Sequence, residues 1–184
     1  MYWHEVIRVE TRDELLLKTA RFNVVNAFHQ VDANTVESRE VIRHPGAVTI
    51  LPWVNQQQVC LIRNFRMGVG QTLVELPAGT LEPGESPDVC AQRELAEETG
   101  FSAASWRQLH AFYLSPGILD ERMHLFLAKE ITPGPPAREQ GEHIENLIVD
   151  WGEALDMVAT GEIQDAKTLF GILYYDHLLR FGQQ

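Results

Sequence analysis

The sequence predicts an α/β fold in which a mixed β-sheet lies between helices. Short strand patterns fill most of the first half of the chain, one helical pattern lies among them, and two more helical patterns follow near the end. Strands and helices in this order favour helices packed in layers on a sheet. We therefore expect an α/β domain with an antiparallel β-hairpin at its start.

Length and composition agree with one domain that spans residues 1–184. A chain of 184 residues with 45% hydrophobic residues is able to bury a full core. Within it we expect N-terminal strands in 1–43 and the larger α/β core in 44–184.

The N-terminal region predicts a hairpin. Residues 22–31 and 35–43 have strand patterns, and the turn residues 32–34 separate them. Upstream, residues 14–18 fit either a helical turn or the flank of a strand, and both interpretations stay open.

The rest of the chain alternates strands, one central helix and two terminal helices. Residues 132–142 contain three prolines without periodicity and predict a loop. Gly161 is expected to separate the two terminal helices, 151–160 and 165–179. The further predicted strands are 47–54, 57–65, 73–78, 106–114, 123–129 and 144–149.

The central helix lies in the stretch 79–101, around which the chain is organised. Ser86 suits the N-cap, Pro87 the first helical position and Asp88 the positive end of the helix dipole. Gly100 suits a left-handed C-terminal stop. The helix is therefore expected to end just before Gly100.

Three acids lie on this helix at spacings of three and four residues. Glu94, Glu97 and Glu98 should share one face, and Glu85 adds a fourth carboxylate from the preceding loop. Like charges at this spacing destabilise a helix, so the face is either simply solvated or binds a hard divalent cation such as Mg²⁺ or Mn²⁺. Spacing alone leaves both interpretations open.

The same stretch resembles the signature of the Nudix hydrolases, G-x5-E-x7-R-E-U-x-E-E-x-G-U, where U is a bulky apolar residue. Of the specified positions, only the last departs from the usual pattern, because Phe101 is aromatic where an aliphatic residue is common. The specified positions are occupied by Gly79, Glu85, Arg93, Glu94, Leu95, Glu97, Glu98, Gly100 and Phe101.

This resemblance implies an α/β/α sandwich and hydrolysis of a nucleoside diphosphate linked to another group. It implies Mg²⁺, with Mn²⁺ as the alternative, bound by Glu94, Glu97 and Glu98. Arg93 is expected to orient these acids, so that Glu97 and Arg93 both belong to the catalytic group. Glu85 is implied as an outer ligand and the carbonyl of Ala78 as a further one.

Other segments are similar to the ADP-ribose pyrophosphatase subgroup of that family. Pro116 follows Gly100 by sixteen residues, and the segments 39–48, 63–66, 74–79 and 161–169 also resemble the subgroup. Pro116 taken singly is equally well an ordinary turn proline. The resemblance implies hydrolysis of ADP-ribose to AMP and ribose 5-phosphate, with a GDP-mannose or ADP-glucose type of substrate as the alternative.

Several side chains are candidates for substrate binding. The resemblance to the subgroup implies that an arginine here binds the nucleotide, and Arg66, then Arg63, are the candidates, although each alone fits a surface arginine. Glu75 is a candidate to accept hydrogen bonds from ribose hydroxyls, or else it is a solvated strand residue. Phe28 and Phe22 are candidates to stack on adenine, although aromatics at strand spacing more often form core.

The catalytic base is expected in the segment 139–145. The subgroup carries an acidic loop there, whereas this chain has Gln140 and Gly141 where acids are usual. A glutamine cannot act as a base. Glu142 is our candidate, with Glu139 or an unassisted metal-bound hydroxide as alternatives.

Charge and composition exclude several classes of function. A net charge of −11 argues against nucleic-acid binding, and no apolar run has the length of a membrane span. Two cysteines do not make a disulfide framework, the histidines show no zinc-ligand spacing, and the start does not resemble a signal peptide. We expect a cytoplasmic protein acting on a small nucleoside diphosphate sugar, without nucleic-acid or membrane partners.

Two further expectations concern assembly and the alternative classes of function. The resemblance implies a homodimer formed through the N-terminal strands. A module that binds ADP-ribose without cleaving it is an alternative to the enzyme, but the full set of acids in the motif argues against it. Nothing specific in the sequence favours a purely structural protein.

Overall fold

The structure is a computed structural model, and it describes residues 11–137 and 144–182. The chain divides into two compact units. One comprises the described residues up to Pro45 together with Ser115–Glu121, and the other comprises Gly46–Leu114 together with the described residues from Arg122 onward.

The first unit is a three-stranded antiparallel sheet in the order β1-β2-β3, formed by Thr11–Lys18, Asn23–Gln30 and Val36–Arg43. The predicted hairpin is therefore confirmed as β2 and β3. The segment 14–18, which the sequence left open, belongs to a strand. Arg43 ties this unit together, since its guanidinium pairs with Asp13 on β1 and with Asp120 in the segment Ser115–Glu121.

The second unit contains two sheets and three helices. One sheet has the order β10-β5-β6 and is antiparallel, and the other has the order β7-β4-β9-β8 and is mixed, because β4 and β9 run parallel. The strands are β4 Ala47–Pro52, β5 Gln58–Arg66, β6 Gln71–Glu75, β7 Ala78–Thr80, β8 Phe101–Tyr113, β9 Arg122–Pro133 and β10 Ile144–Asp150. The helices are α1 Pro87–Glu94, α2 Trp151–Ala159 and α3 Ala166–Phe181.

Alternating side chains of the strands divide the core between two faces. On β4, Ile50 packs in a cluster with Ala91 and Leu95 of the α1 region, whereas its neighbour Leu51 packs in a cluster with residues of α2 and α3 such as Ile172. Successive strand residues point to opposite faces, so helices cover both. This arrangement confirms the predicted α/β/α sandwich with a mixed sheet.

Four boundaries differ from the sequence prediction. The predicted central helix ends as α1 at Glu94 and continues as a π-helical turn, Leu95–Thr99. The strand expected at 106–114 begins at Phe101, directly after Gly100, and the strand expected at 123–129 continues to Pro133, into the predicted loop. The strand expected at 73–78 is two strands, β6 and β7, separated by Leu76 and Pro77.

The ends of α1 follow the expected residues but not every expected contact. Ser86 is the N-cap residue with extended backbone angles, yet its side chain makes no capping hydrogen bond, contrary to the prediction. Gly100 adopts the predicted left-handed conformation, with φ 77°. In the described part of the chain, we find no helix that combines the length and apolar character needed to span a bilayer.

Candidate active site

The site is assembled where β7 meets the helical stretch that follows it. Gly79 on β7 lies directly against the Glu94 carboxylate: a Cβ placed on Gly79 would lie 1.8 Å from a Glu94 oxygen. The glycine therefore gives the carboxylate room that any other residue would fill. This close approach explains why the stretch begins with glycine.

Arg93 organises three of the four predicted acids. Its Nε and Nη2 donate to the two oxygens of Glu85 at 2.9 Å each, a bidentate pair. Its Nη1 donates both to Glu94, at 2.7 Å, and to Glu97, at 3.0 Å. A planar guanidinium with donors on several edges makes such sharing possible. Arg93 thus brings together acids from the loop, from α1 and from the π-helical turn.

These ion pairs change the protonation equilibria of the cluster. Hydrogen bonds from Arg93 lower the pKa of Glu85 to about 2, against the opposing effect of burial. In turn, the hydrogen bond to Glu85, followed by those to Glu94 and Glu97, raises the pKa of Arg93. Glu85 is therefore an anion and Arg93 a cation across the whole physiological range.

Glu98 lies apart from the Arg93 cluster. Its side chain is buried, and one carboxylate oxygen accepts a hydrogen bond of 2.9 Å from the backbone N–H of Ala78. The π-helical turn carries both Glu97 and Glu98, and such turns recur at functional sites. The expected single face is thus split: Glu94 and Glu97 contact Arg93, whereas Glu98 points to the start of β7.

The donor set fits a hard divalent cation. Every candidate ligand is oxygen: the carboxylates of Glu94, Glu97 and Glu98, and the carbonyl of Ala78. The four carboxylates around Arg93 and Ala78 carry a formal charge of −3 once Arg93 is counted. Among residues 11–137 and 144–182, no three such side chains already lie in ligating geometry, and Arg93 Nη1 stands between Glu94 and Glu97.

A second charged cluster lies at the edge of β5 and β6. Arg66 forms a bidentate pair with Glu75, with distances of 2.8 Å from Nε and 2.6 Å from Nη2. The Glu75 side chain is 1% exposed, whereas the Arg66 side chain is 37% exposed. Glu98 is among the anions that raise the pKa of Arg66, after the hydrogen bond to Glu75. The two clusters therefore interact electrostatically.

The contacts of Glu75 suggest a role other than ribose binding. Burial alone would raise its pKa, but the hydrogen bond from Arg66 and the charge of Lys167 outweigh burial and lower the pKa. Both carboxylate oxygens are engaged within the protein. The ribose contact stays a prediction, while the geometry favours Glu75 as the residue that orients Arg66.

Sequence reasoning assigned no role to three residues at the start of α3. Lys167 contacts both Glu75 and Asp165, and Thr168 contacts both Asp165 and the backbone N–H of Leu76. The segment 161–169 was noted only for its resemblance. A lysine on an otherwise apolar helical stretch, two residues after an N-cap aspartate, was a signal that it lies against a carboxylate.

The remaining candidates for substrate binding lie elsewhere. Arg63 on β5 is 40% exposed and lies 4.0 Å from Glu145. Phe28 belongs to the first unit, where the Arg12 guanidinium lies 4.7 Å from its ring centroid, and Phe22 is partly buried there. Pro116 is exposed in a turn of the same unit. Their roles in substrate binding stay predictions.

The candidate bases Glu142 and Glu139 lie outside the described residues, which stop at Ala137 and resume at Ile144. The described residues before this segment do contact the site. The N–H of Ala137 donates to the carbonyl of Glu97 at 3.1 Å. The chain that leads to the candidate bases is therefore attached to the π-helical turn.

Comparison with known proteins identifies the class. Residues 43–170 match the family model of the NUDIX domain, so the chain belongs to the Nudix family. A crystal structure titled "ADP compounds hydrolase" superposes with a TM-score of 0.80 over 97% of both chains, at 19% sequence identity, and so shares the fold.

Two curated relatives share more of the sequence. The ADP-ribose pyrophosphatase of Bacillus subtilis is 42% identical over 138 residues, which is 74% of this chain and 75% of the relative. The GDP-mannose pyrophosphatase of Shigella flexneri serotype 5b is 37% identical over 166 residues, 79% of this chain and 85% of that protein.

Proposed function

We propose that this protein is a divalent-metal-dependent pyrophosphohydrolase that cleaves ADP-ribose to AMP and ribose 5-phosphate. The observation that carries the proposal is the cluster in which Arg93 joins Glu85, Glu94 and Glu97 beside the buried Glu98. The similarity to the ADP-ribose pyrophosphatase of Bacillus subtilis supports the choice of substrate.

The residues of the site have different roles in the proposed reaction. Arg93 holds Glu94 and Glu97, and the Ala78 N–H holds Glu98, so that these carboxylates would bind Mg²⁺ or Mn²⁺ with the Ala78 carbonyl. The bound cation would offset the charge of the diphosphate and polarise its P–O bonds. The exposed edge of Arg66 would hold a phosphate oxygen.

The bond changes follow from hydrolysis of an anhydride. The oxygen of water forms a new bond to one phosphorus, and the bridging P–O bond breaks. The bridging oxygen leaves on the other phosphate, and a base takes the proton of the water. We assign that base to Glu142, because it keeps its place in the acidic register of the segment 139–145.

Incubation with ADP-ribose and Mg²⁺ tests the proposed reaction, with AMP release as the readout. The Glu98→Gln variant should lose activity, since an amide is a poorer ligand for Mg²⁺ than a carboxylate. Binding of ADP-ribose without AMP release would instead identify a sensing module.

Substitution of the candidate base separates chemistry from binding. We expect Glu142→Gln to lower kcat strongly with little change in KM, because it removes the proton acceptor and leaves the binding groups intact. Glu139→Gln tests the alternative base three residues earlier, and we expect it to keep most of the activity. Near-normal turnover of Glu142→Gln would remove this assignment.

GDP-mannose is the second candidate substrate. The 37% identity with the GDP-mannose pyrophosphatase of Shigella flexneri favours it specifically. A panel of ADP-ribose, GDP-mannose and ADP-glucose, compared by kcat/KM, decides between them. If kcat/KM for GDP-mannose exceeds kcat/KM for ADP-ribose tenfold, a difference of about 1.4 kcal/mol in free energy, GDP-mannose becomes the assigned substrate.

The proposal includes a cytoplasmic homodimer paired through the N-terminal strands. Leu15, Leu16 and Leu17 on β1 are each more than half exposed, and a run of exposed apolar side chains favours burial against a partner. Both cysteines are buried free thiols, in keeping with a reducing compartment. Sedimentation of a monomer at assay concentration would remove the dimer.

A further inference from the structure

Glu75 is shared between two cations that differ greatly in exposure. Arg66 contacts both of its oxygens, and the Lys167 ammonium contacts one of them. The Glu75 side chain is 1% exposed and that of Lys167 is 8% exposed, whereas that of Arg66 is 37% exposed. Of the three groups, Arg66 is thus the one that reaches solvent.

Lys167 is itself held in place by the start of α3. Asp165 is the N-cap residue of this helix and accepts from the N–H of Thr168 at 3.0 Å. The same carboxylate pairs with Lys167 at 2.9 Å. Thr168 also accepts from the N–H of Leu76 at 2.8 Å, directly after Glu75. The ammonium is therefore fixed relative to the end of β6.

The charges of four groups determine what Arg66 offers to a ligand. Arg66, Glu75 and Asp165 alone would sum to −1, which disfavours an anion. Lys167 pairs with both carboxylates and brings the sum to zero, and the most exposed of the four side chains is Arg66. A buried charge left without a partner is unfavourable, so removal of Lys167 should draw Arg66 further onto Glu75.

We propose that Lys167 is a positioning residue that acts through Glu75: it fixes the Arg66 guanidinium and leaves its exposed edge electropositive for a phosphate group of the substrate. This inference rests on the proposed function, in which Arg66 binds the diphosphate. Lys167 itself is buried and is not expected to touch substrate.

Substitution of Lys167 by Met removes the charge and keeps the length of the side chain. We expect Lys167→Met to raise KM for the preferred nucleoside diphosphate sugar by about 10-fold, the size of one weakened charge-assisted contact, with kcat changed far less. Lys167→Arg should restore KM, since it returns a cation to Glu75. Lys129→Met is the matched control, because Lys129 forms no ion pair within the described residues.

The ¹⁵N–¹H resonance of Arg66 Nε, assigned with Arg66→Lys, reports on the same coupling without catalysis. It should shift in Lys167→Met and stay in place in Lys129→Met. Thr168→Val removes the hydrogen bond to Leu76 but keeps the ammonium, so it should lower Tm and shift the resonance much less than Lys167→Met does. If Lys167→Met lowers Tm without moving the resonance or KM, Lys167 only anchors α3 and the proposal is overturned.

A double-mutant cycle with Glu75→Gln tests whether Lys167 acts on Arg66 through Glu75. The double variant removes one positive and one negative charge, so it keeps the charge balance if Lys167→Met alone does not fold. Lys167→Met should have little further effect in the Glu75→Gln background; additive effects on KM or on the resonance would overturn the route. If no diphosphate is hydrolysed by the unmodified protein, the proposed function fails, while the resonance still decides the role of Lys167.

Discussion

Arg93 shows how one side chain can define a site at the scale of single residues. It donates to Glu85, Glu94 and Glu97 and also to the carbonyl of Thr80 at 3.2 Å. A lysine has one ammonium group and cannot serve acceptors on several edges. The orientation of the predicted metal ligands therefore depends on the shape of the guanidinium as well as on its charge.

Substitution of Arg93 by Lys should preserve charge and lose this geometry. We expect kcat/KM to fall by at least about 10-fold, because at least one charge-assisted hydrogen bond is lost. The Mg²⁺ concentration for half-maximal activity should rise. Arg180→Lys, at the exposed arginine that pairs with Asp176 at i,i+4 spacing on α3, is the control that keeps activity. Equal kinetics in both variants would contradict the role of Arg93.

The low pKa of Glu85 predicts acid sensitivity. Its pKa is about 2 in the folded chain and 4.5 as the ordinary value, because Arg93 stabilises the anion. A lowered pKa means that the unfolded chain binds the proton more readily, so stability is complete above pH 4.5 and falls as pH drops toward 2. Urea unfolding between pH 5 and 2.5 should show a flatter pH dependence for Glu85→Gln, but not for the exposed Glu162→Gln.

At this scale the sequence predicts whatever depends on fixed local spacing. Glu94, Glu97 and Arg93 lie within one turn of each other, so their proximity follows from the helix itself. The contact of Lys167 with Glu75 joins residues 92 positions apart, and no local pattern encodes it.

At the scale of elements, the π-helical turn and Gly100 connect the acids to the rest of the second unit. Thr99 within the turn donates to the carbonyl of Leu95, and its own carbonyl accepts from Asn146 on β10. Gly100 then reverses the chain into β8 with φ 77°. Its Cα lies so close to the segment after β9 that an added Cβ would meet the Gly134 oxygen at 2.3 Å.

Substitution of two glycines that have nearly the same φ distinguishes the free-energy cost of backbone strain from the cost of close packing. Gly161 has φ 78° with open space around it, so Gly161→Ala should cost about 1 kcal/mol of unfolding free energy from strain alone. Gly100→Ala adds the overlap with Gly134, and we expect about 1–3 kcal/mol more. Urea denaturation measures the difference. Equal losses for both variants would show that Gly134 yields to the added methyl group.

Apolar residues at strand and helical spacing predicted most elements, because buried positions recur at regular spacing along them. Both faces of β4 are buried, and its apolar run was readable as a strand. The π-helical turn was not predictable, since the spacing of Glu94, Glu97 and Glu98 is equally that of an ordinary helix. The strand character of β1 was open because its exposed Leu15, Leu16 and Leu17 lack alternation.

At the scale of the whole molecule, the charge balance requires a cation for the proposed chemistry. The chain carries a net charge of −11, and the carboxylates of the site concentrate part of this charge at close range. An anionic diphosphate would be repelled by such a surface unless positive charge lies between them. Arg66 and Arg93 supply part of it, and the folded arrangement of Glu94, Glu97 and Glu98 is suited to hold the rest as metal.

Metal binding should therefore stabilise the folded protein as a whole. A ligand that binds only the folded state at 100 times its Kd adds about 2.7 kcal/mol to the unfolding free energy. For a chain of this size each kcal/mol raises Tm by roughly 2–4 °C, so a shift of several degrees is expected on replacing EDTA by Mg²⁺.

The same thermal scan locates the binding to the proposed acids. Glu98→Gln should lose most of the Mg²⁺-dependent shift, because the buried carboxylate beside Ala78 is removed while the shape of the side chain is kept. Glu153→Gln, at an exposed acid of α2, should retain it. If all three proteins gain the same Tm from Mg²⁺, the ion acts by screening the net charge of the chain and the Glu98 site does not hold it.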